Sequence, residues 1–165
     1  MAQTVLASQK FRKSGTHPMD AAAENHIRDC GEGVRLRGAY SRHPDNQGLI
    51  ILFHGWEGSQ DSTYVVSHAR FMYDRGYSIF RLNYRDHGDS HDLNEGLFHS
   101  ALFDEVWGAV KAIMPMSNGA PVSIIGFSLG GNFALRIARR SISEDLSIAH
   151  IFAISPVIDP LNAAP

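Results

Sequence analysis

The sequence predicts an α/β fold, a mostly parallel sheet with helices packed on its faces. Three observations carry that expectation. Four short segments, Leu49–Phe53, Ser78–Leu82, Val122–Phe127 and His150–Ile154, are dense in apolar residues without regular polar alternation, as strands covered on both faces are. The stretches between them carry apolar residues at helical spacing, and strand alternating with helix is the order of a parallel sheet. Finally, Gly126-Phe-Ser-Leu-Gly130 stands where one of these strands runs into a helix.

Taken in order, residues 1–23 are polar and irregular, punctuated by Gly15 and Pro18, and read as a loose N-terminal arm. A single domain is expected over residues 24–165. Residues 24–30 and 34–40 read as two strands joined by the turn Gly31-Glu32-Gly33. A surface loop over 41–48 leads into Leu49–Phe53. A helix is expected over 62–75, with Val65, Ala69 and Met72 on one face and Gly76 as its stop. Another is expected over 100–114, built on Leu102, Val106, Ala109 and Ile113 and ended by Pro115. The last, over 129–139, places Phe133, Ala134, Ile137 and Ala138 on one side.

Composition excludes several classes. Fifteen basic residues against seventeen acidic ones give a formal charge of −2, so the chain lacks the basic excess of a nucleic-acid binder. No apolar run approaches the ~18–20 residues that span a bilayer. Residues 1–15 lack the apolar stretch of a secretory signal. Cys30 is the one cysteine, which precludes an intrachain disulfide and makes a reducing cytoplasm the expected location. No Gly-x-Gly-x-x-Gly follows the first strand and no P-loop occurs, so nucleotide sites lack their fingerprints.

The segment Val122-Ser-Ile-Ile-Gly-Phe-Ser-Leu-Gly-Gly-Asn132 has the context that a nucleophile elbow requires, strand, Gly-x-Ser-x-Gly, helix. Ser128 must project its hydroxyl from a very sharp turn, and Gly126 and Gly130 remove the Cβ atoms that would collide across it. The following helix aims free N–H groups and its positive dipole end at the place where acyl transfer develops negative charge. The bland alternative is a helix-capping serine after a glycine-rich turn. A second segment, Phe53-His54-Gly55-Trp56-Glu57-Gly58, ends an earlier buried strand. An oxyanion hole needs one N–H beside the nucleophile and one from such a loop; Leu129 and Trp56 are the candidates, with Gly55 allowing close approach. An ordinary strand-to-helix loop is the alternative there.

These segments, together with Asn83-Tyr-Arg-Asp-His-Gly-Asp-Ser90, resemble the α/β-hydrolase superfamily, in particular its bacterial esterase-type and abhydrolase-domain lipase branch. The third segment is similar to the family's Arg-Gly-x-Gly-x-Ser loop, with Asp86 where glycine is usual. The resemblance spans roughly residues 24 to 159. It implies Ser128 as nucleophile, Trp56 and Leu129 as oxyanion donors, and His54, Gly55, Gly126 and Gly130 as supports. It also implies a small-molecule ester substrate and no cofactor.

The family's acid and base follow the serine in sequence. His150 is the one histidine after Ser128, but it opens a strand, whereas the family's base lies in a loop after the last strand. Asp159 follows the sixth strand, where some members place the acid; others place it after the seventh. The complete fold resembles eight strands, and about six are counted here. The sequence therefore reads as the N-terminal portion of such a hydrolase, weak or inactive alone. Its sixth strand would present an unpaired edge, open to self-association or to a complementing chain. A non-catalytic binding module of the same fold is the rival reading. The cluster Asp86-His-Gly-Asp-Ser-His-Asp92 holds metal-ligand residue types, but its glycine and placement favour the family loop, and no metal site is assigned.

Overall fold

The computed structural model describes residues 17–158. Six strands form one sheet in the order β1-β2-β4-β3-β5-β6. Strands β1 (Ala23–Asp29) and β2 (Arg35–Ser41) make an antiparallel hairpin, closed by the Cys30 N–H donating to the Val34 carbonyl. Strand β2 then lies antiparallel to β4 (Ser78–Leu82). Strands β4, β3 (Leu49–Phe53), β5 (Val122–Phe127) and β6 (His150–Ile154) are mutually parallel. These four strands have the bounds that their apolar runs predict.

Both faces of β4, β3 and β5 are covered because their side chains alternate between two cores. Ile51, Phe53 and Ile124 point to one face, with Trp107, Val110 and Ile113 of α3 (Phe103–Ile113) and Phe133 and Ile137 of α4 (Leu129–Ser143). Ile50, Leu52 and Ile125 point to the other, against Val65, Ala69 and Tyr73 of α2 (Thr63–Tyr73). The 3₁₀ turn Met114–Ser117 leads from α3 toward β5. This doubly covered sheet explains the lack of polar alternation in the sequence. Among the described residues no helix is long and apolar enough to cross a membrane.

Three expectations are corrected. Residues 18–21, assigned to the loose arm, form a helical turn, α1 (Pro18–Ala21), capped by the His17 ring accepting the Met19 N–H. One apolar side chain, Met19, is wholly buried, the Ser41 hydroxyl donates to its carbonyl, and Asp20 pairs with Arg70. A single anchor in a polar stretch leaves no periodic signal. Residues 1–16 lie outside the described residues. Helix α3 starts at Phe103 rather than 100, and α4 runs on to Ser143, where Arg140 pairs with Glu144 one turn along. Strand β6 is not covered on both faces: alternate residues His150, Phe152 and Ile154 are exposed.

Candidate active site

Ser128 joins β5 to α4 with φ 52° and ψ −113°. This is a left-handed, sparsely populated backbone conformation for a residue with a Cβ, worth about 1–3 kcal/mol of strain. The turn can be this tight because of what flanks it. A Cβ on Gly126 would lie 2.1 Å from the Gly130 carbonyl oxygen, and one on Gly130 would lie 2.6 Å from the His54 carbonyl oxygen. Both glycines are thus fixed by backbone packed on backbone. The elbow is tied on its far side to β6: the Ser128 N–H donates to the Ile154 carbonyl at 2.9 Å, and Asn132 Nδ2 donates to the Val157 carbonyl at 2.8 Å.

The loop after β3 comes up against the serine. A Cβ on Gly55 would sit 3.3 Å from Ser128 Cβ. The Gly55 N–H is already engaged, donating to the Tyr64 hydroxyl at 2.8 Å, and the Gly58 N–H closes a turn on the Gly55 carbonyl. Neither the Trp56 amide nor the Leu129 amide donates to another described residue. The first helical bond of α4 runs from the Asn132 N–H to the Ser128 carbonyl, so Leu129 belongs to the free first turn, at the positive end of the helix dipole.

His54 lies beneath this loop, wholly buried. Its Nδ1 donates to the Gly55 carbonyl at 2.7 Å and its Nε2 accepts the Tyr84 N–H at 3.4 Å. Burial pushes its pKa down to about 3, against the opposing pull of the Gly55 carbonyl. It is a neutral imidazole with both nitrogens in use, and it shapes the loop. His150 pairs with Ser123 at the start of β5; five strand residues at ~3.3 Å each put it roughly 16 Å from the elbow. Asp159 lies outside the described residues. Among the described residues the Ser128 hydroxyl has no hydrogen-bond partner, and no three His, Cys, Asp or Glu side chains group to hold a metal ion.

Tyr64, Asn83 and Phe98 carry the site without having been singled out in the sequence. Tyr64 holds Gly55, and Asn83 Oδ1 accepts the Gln60 N–H at 2.6 Å from the same loop. Phe98 packs edge-to-face on Trp56, with centroids 5.7 Å apart. Asn83 and Phe98 act across long sequence gaps and Tyr64 across nine residues, and no spacing rule marks such contacts.

Comparison with known proteins agrees with this architecture. An uncharacterized protein of Rickettsia prowazekii is 26% identical over 136 residues, covering 80% of this chain and 55% of that protein. A Haemophilus influenzae protein provisionally named an esterase/lipase is 29% identical over 92 residues, 56% of this chain and 29% of its own length. The chain thus spans little more than half of the first relative and less of the second. Among solved structures, the esterase Pf2001 of Pyrococcus furiosus superimposes with a TM-score of 0.68 at 22% identity, covering 88% of this chain and 56% of that one. The six strands correspond to the N-terminal portion of that fold. The sequence profile described as the alpha/beta hydrolase fold matches residues 48–165, from the start of β3 through the elbow and onward, and this chain belongs to that family.

Proposed function

We propose that this chain carries the nucleophile and oxyanion hole of a serine carboxylic ester hydrolase. The observation that carries the reading is Ser128, held at positive φ between β5 and α4 with Gly55 packed against its Cβ. The Ser128 oxygen attacks the ester carbonyl carbon, the Trp56 and Leu129 amides take up the charge on the carbonyl oxygen, and the alcohol leaves with a proton. Water then cleaves the acyl-enzyme. Losing one oxyanion donor costs ~10²–10³ in turnover. No cofactor takes part. The esterase-named relatives support this class of reaction.

A serine hydroxyl needs a base in reach to act as a nucleophile, and His54 is buried with both nitrogens engaged. With no base on the serine among the described residues, their activity is set by the hole and binding alone, ~10³–10⁴-fold over water. That same observation favours the rival, a ligand-binding module without catalysis. A fluorophosphonate probe separates them. Stoichiometric labelling that disappears in Ser128→Ala supports the hydrolase. No labelling of the chain, alone or with a complementing C-terminal segment from a longer relative, supports the module.

A further inference from the structure

A cavity of about 410 Å³ opens between the loop after β3 and the segment after β4. Trp56 on its wall directly follows Gly55, the residue packed against Ser128. Its lining is mixed in chemistry. Trp56, Leu97 and Phe98 supply the apolar part. Trp56 is 58% exposed and Leu97 is 80% exposed, a large apolar area to leave in water beside a polar loop. Phe98 is a fixed wall, stacked on Tyr84 at 5.6 Å and edge-on to His87 at 4.7 Å. Asp86, His91 and Glu57 supply the charged and polar part of the same lining.

Asp86 is the informative residue. Its φ is 57°, a conformation glycine adopts without cost and aspartate adopts with local hydrogen bonding. Its carboxylate accepts from His91 Nδ1 at 2.5 Å. The imidazole is oriented by that bond yet two-thirds exposed.

The charges around the ring select its ligand. Asp86 and Asp92 both favour the protonated ring, as does the Gly88 carbonyl, and Glu57 adds a further negative charge to the lining. An anionic group would meet these three carboxylates. A hydroxyl meets no such penalty, and it accepts from a protonated ring or donates to a neutral one. The apolar part of the lining suits an aromatic ring, which packs edge-to-face or offset against Trp56 and Phe98.

We propose that this cavity binds a hydroxyaryl group of the substrate, its ring packed against Trp56 and Phe98 and its hydroxyl on the His91–Asp86 dyad. The proposal rests on the ester-hydrolase reading only for calling the ligand part of an ester, so its test uses compounds that cannot be hydrolysed as esters. The chain has two tryptophans; Trp107 is buried in the core and Trp56 lines the cavity. Trp56 emission, excited beyond the phenol band, is followed during titration with 4-hydroxyphenylacetamide and with phenylacetamide.

The expected result is a saturable change for both amides, absent in Trp56→Phe, with the phenol bound about tenfold more tightly, the effect of one well-placed hydrogen bond. His91→Ala, at an exposed position, erases that preference and leaves phenylacetamide binding unchanged. A wild-type chain without saturable binding, a signal that persists in Trp56→Phe, or a phenol preference that survives His91→Ala would each overturn the proposal. Fluorophosphonate labelling of Ser128 is read separately. Binding without labelling would remove the hydrolase and keep the pocket, and labelling without binding would do the reverse.

Discussion

Tyr84 holds His54 through two hydrogen bonds, both of them donated by the tyrosine. The Tyr84 N–H donates to His54 Nε2 at 3.4 Å, and the Tyr84 hydroxyl donates to the His54 carbonyl at 3.1 Å. This pins the C-terminal end of β3 to that of β4, directly below the Gly55–Trp56 loop. The pairing works only while the imidazole is neutral, since a proton on Nε2 would face the Tyr84 N–H.

A pH dependence follows. In the unfolded chain this histidine titrates near 6.5, whereas burial holds the native ring at about 3. Between those values the unfolded state binds a proton that the native state refuses. The stabilising contribution is therefore complete above the unfolded value and is lost as pH falls toward the native one, by about 1.4 kcal/mol per pH unit. Urea melts at about pH 7 and about pH 5 should show wild type losing more stability than His54→Gln. Equal losses in the two proteins would show that the ring is not buried neutral.

The strained φ of Ser128 gives a second expectation. Glycine relaxes in that region, so Ser128→Gly should raise stability by about 1 kcal/mol, out of the roughly 1–3 kcal/mol stored there. Ser128→Ala keeps a Cβ and should leave stability close to wild type. Both should abolish fluorophosphonate labelling. Thermal melts of the three proteins check the order; a Ser128→Gly variant less stable than Ser128→Ala would mean the elbow is unstrained.

Strands β3, β4 and β5 are legible because burial on both faces favours apolar runs, as in Leu49–Phe53, wholly buried in the fold; β6 has such a run with one face exposed. The elbow and the Gly55 loop were legible because backbone packed on backbone admits only glycine at Gly126 and Gly130. Helix starts were less so: Leu102 carries no side-chain cap at α3, so nothing in the sequence separates residue 100 from residue 103. The turn α1 hung on Met19 alone. The loop braces Tyr64 and Asn83 are not legible because each acts through one hydrogen bond to loop backbone, nine and twenty-three residues away, that no periodicity marks. The dyad residues Asp86 and His91 were noticed, but as metal-type side chains. Their hydrogen bond spans five residues of an irregular loop, where no periodicity marks a pair.

Asn83 offers a test of the loop's support. It is wholly buried at the end of β4, and its Oδ1 takes the N–H of Gln60, while nearby Arg81 Nη1 donates to the Gln60 carbonyl at 3.0 Å. Asn83→Ala strands the buried Gln60 N–H, at about 1–3 kcal/mol. Hydrogen exchange should then speed up in residues 56–62 more than in α4. Uniform protection in both segments would place the support of this loop elsewhere.

Strand β6 makes the last prediction. It pairs with β5 on one side, and it is the outermost strand of the described sheet. Phe152 is 51% exposed and Ile154 39% exposed on the same face. An apolar edge with open backbone groups is a template for association. We propose that the chain self-associates through it, with sedimentation that depends on concentration. Covering one phenylalanine gives about 1.5–3 kcal/mol, so Phe152→Lys should weaken association roughly tenfold or more. Phe71 is equally exposed, at 52%, but lies on α2 under the Arg75 guanidinium. Phe71→Lys should therefore leave association unchanged. If the two substitutions act alike, general surface apolarity drives association rather than the β6 edge, and if neither acts, the contact lies on another face.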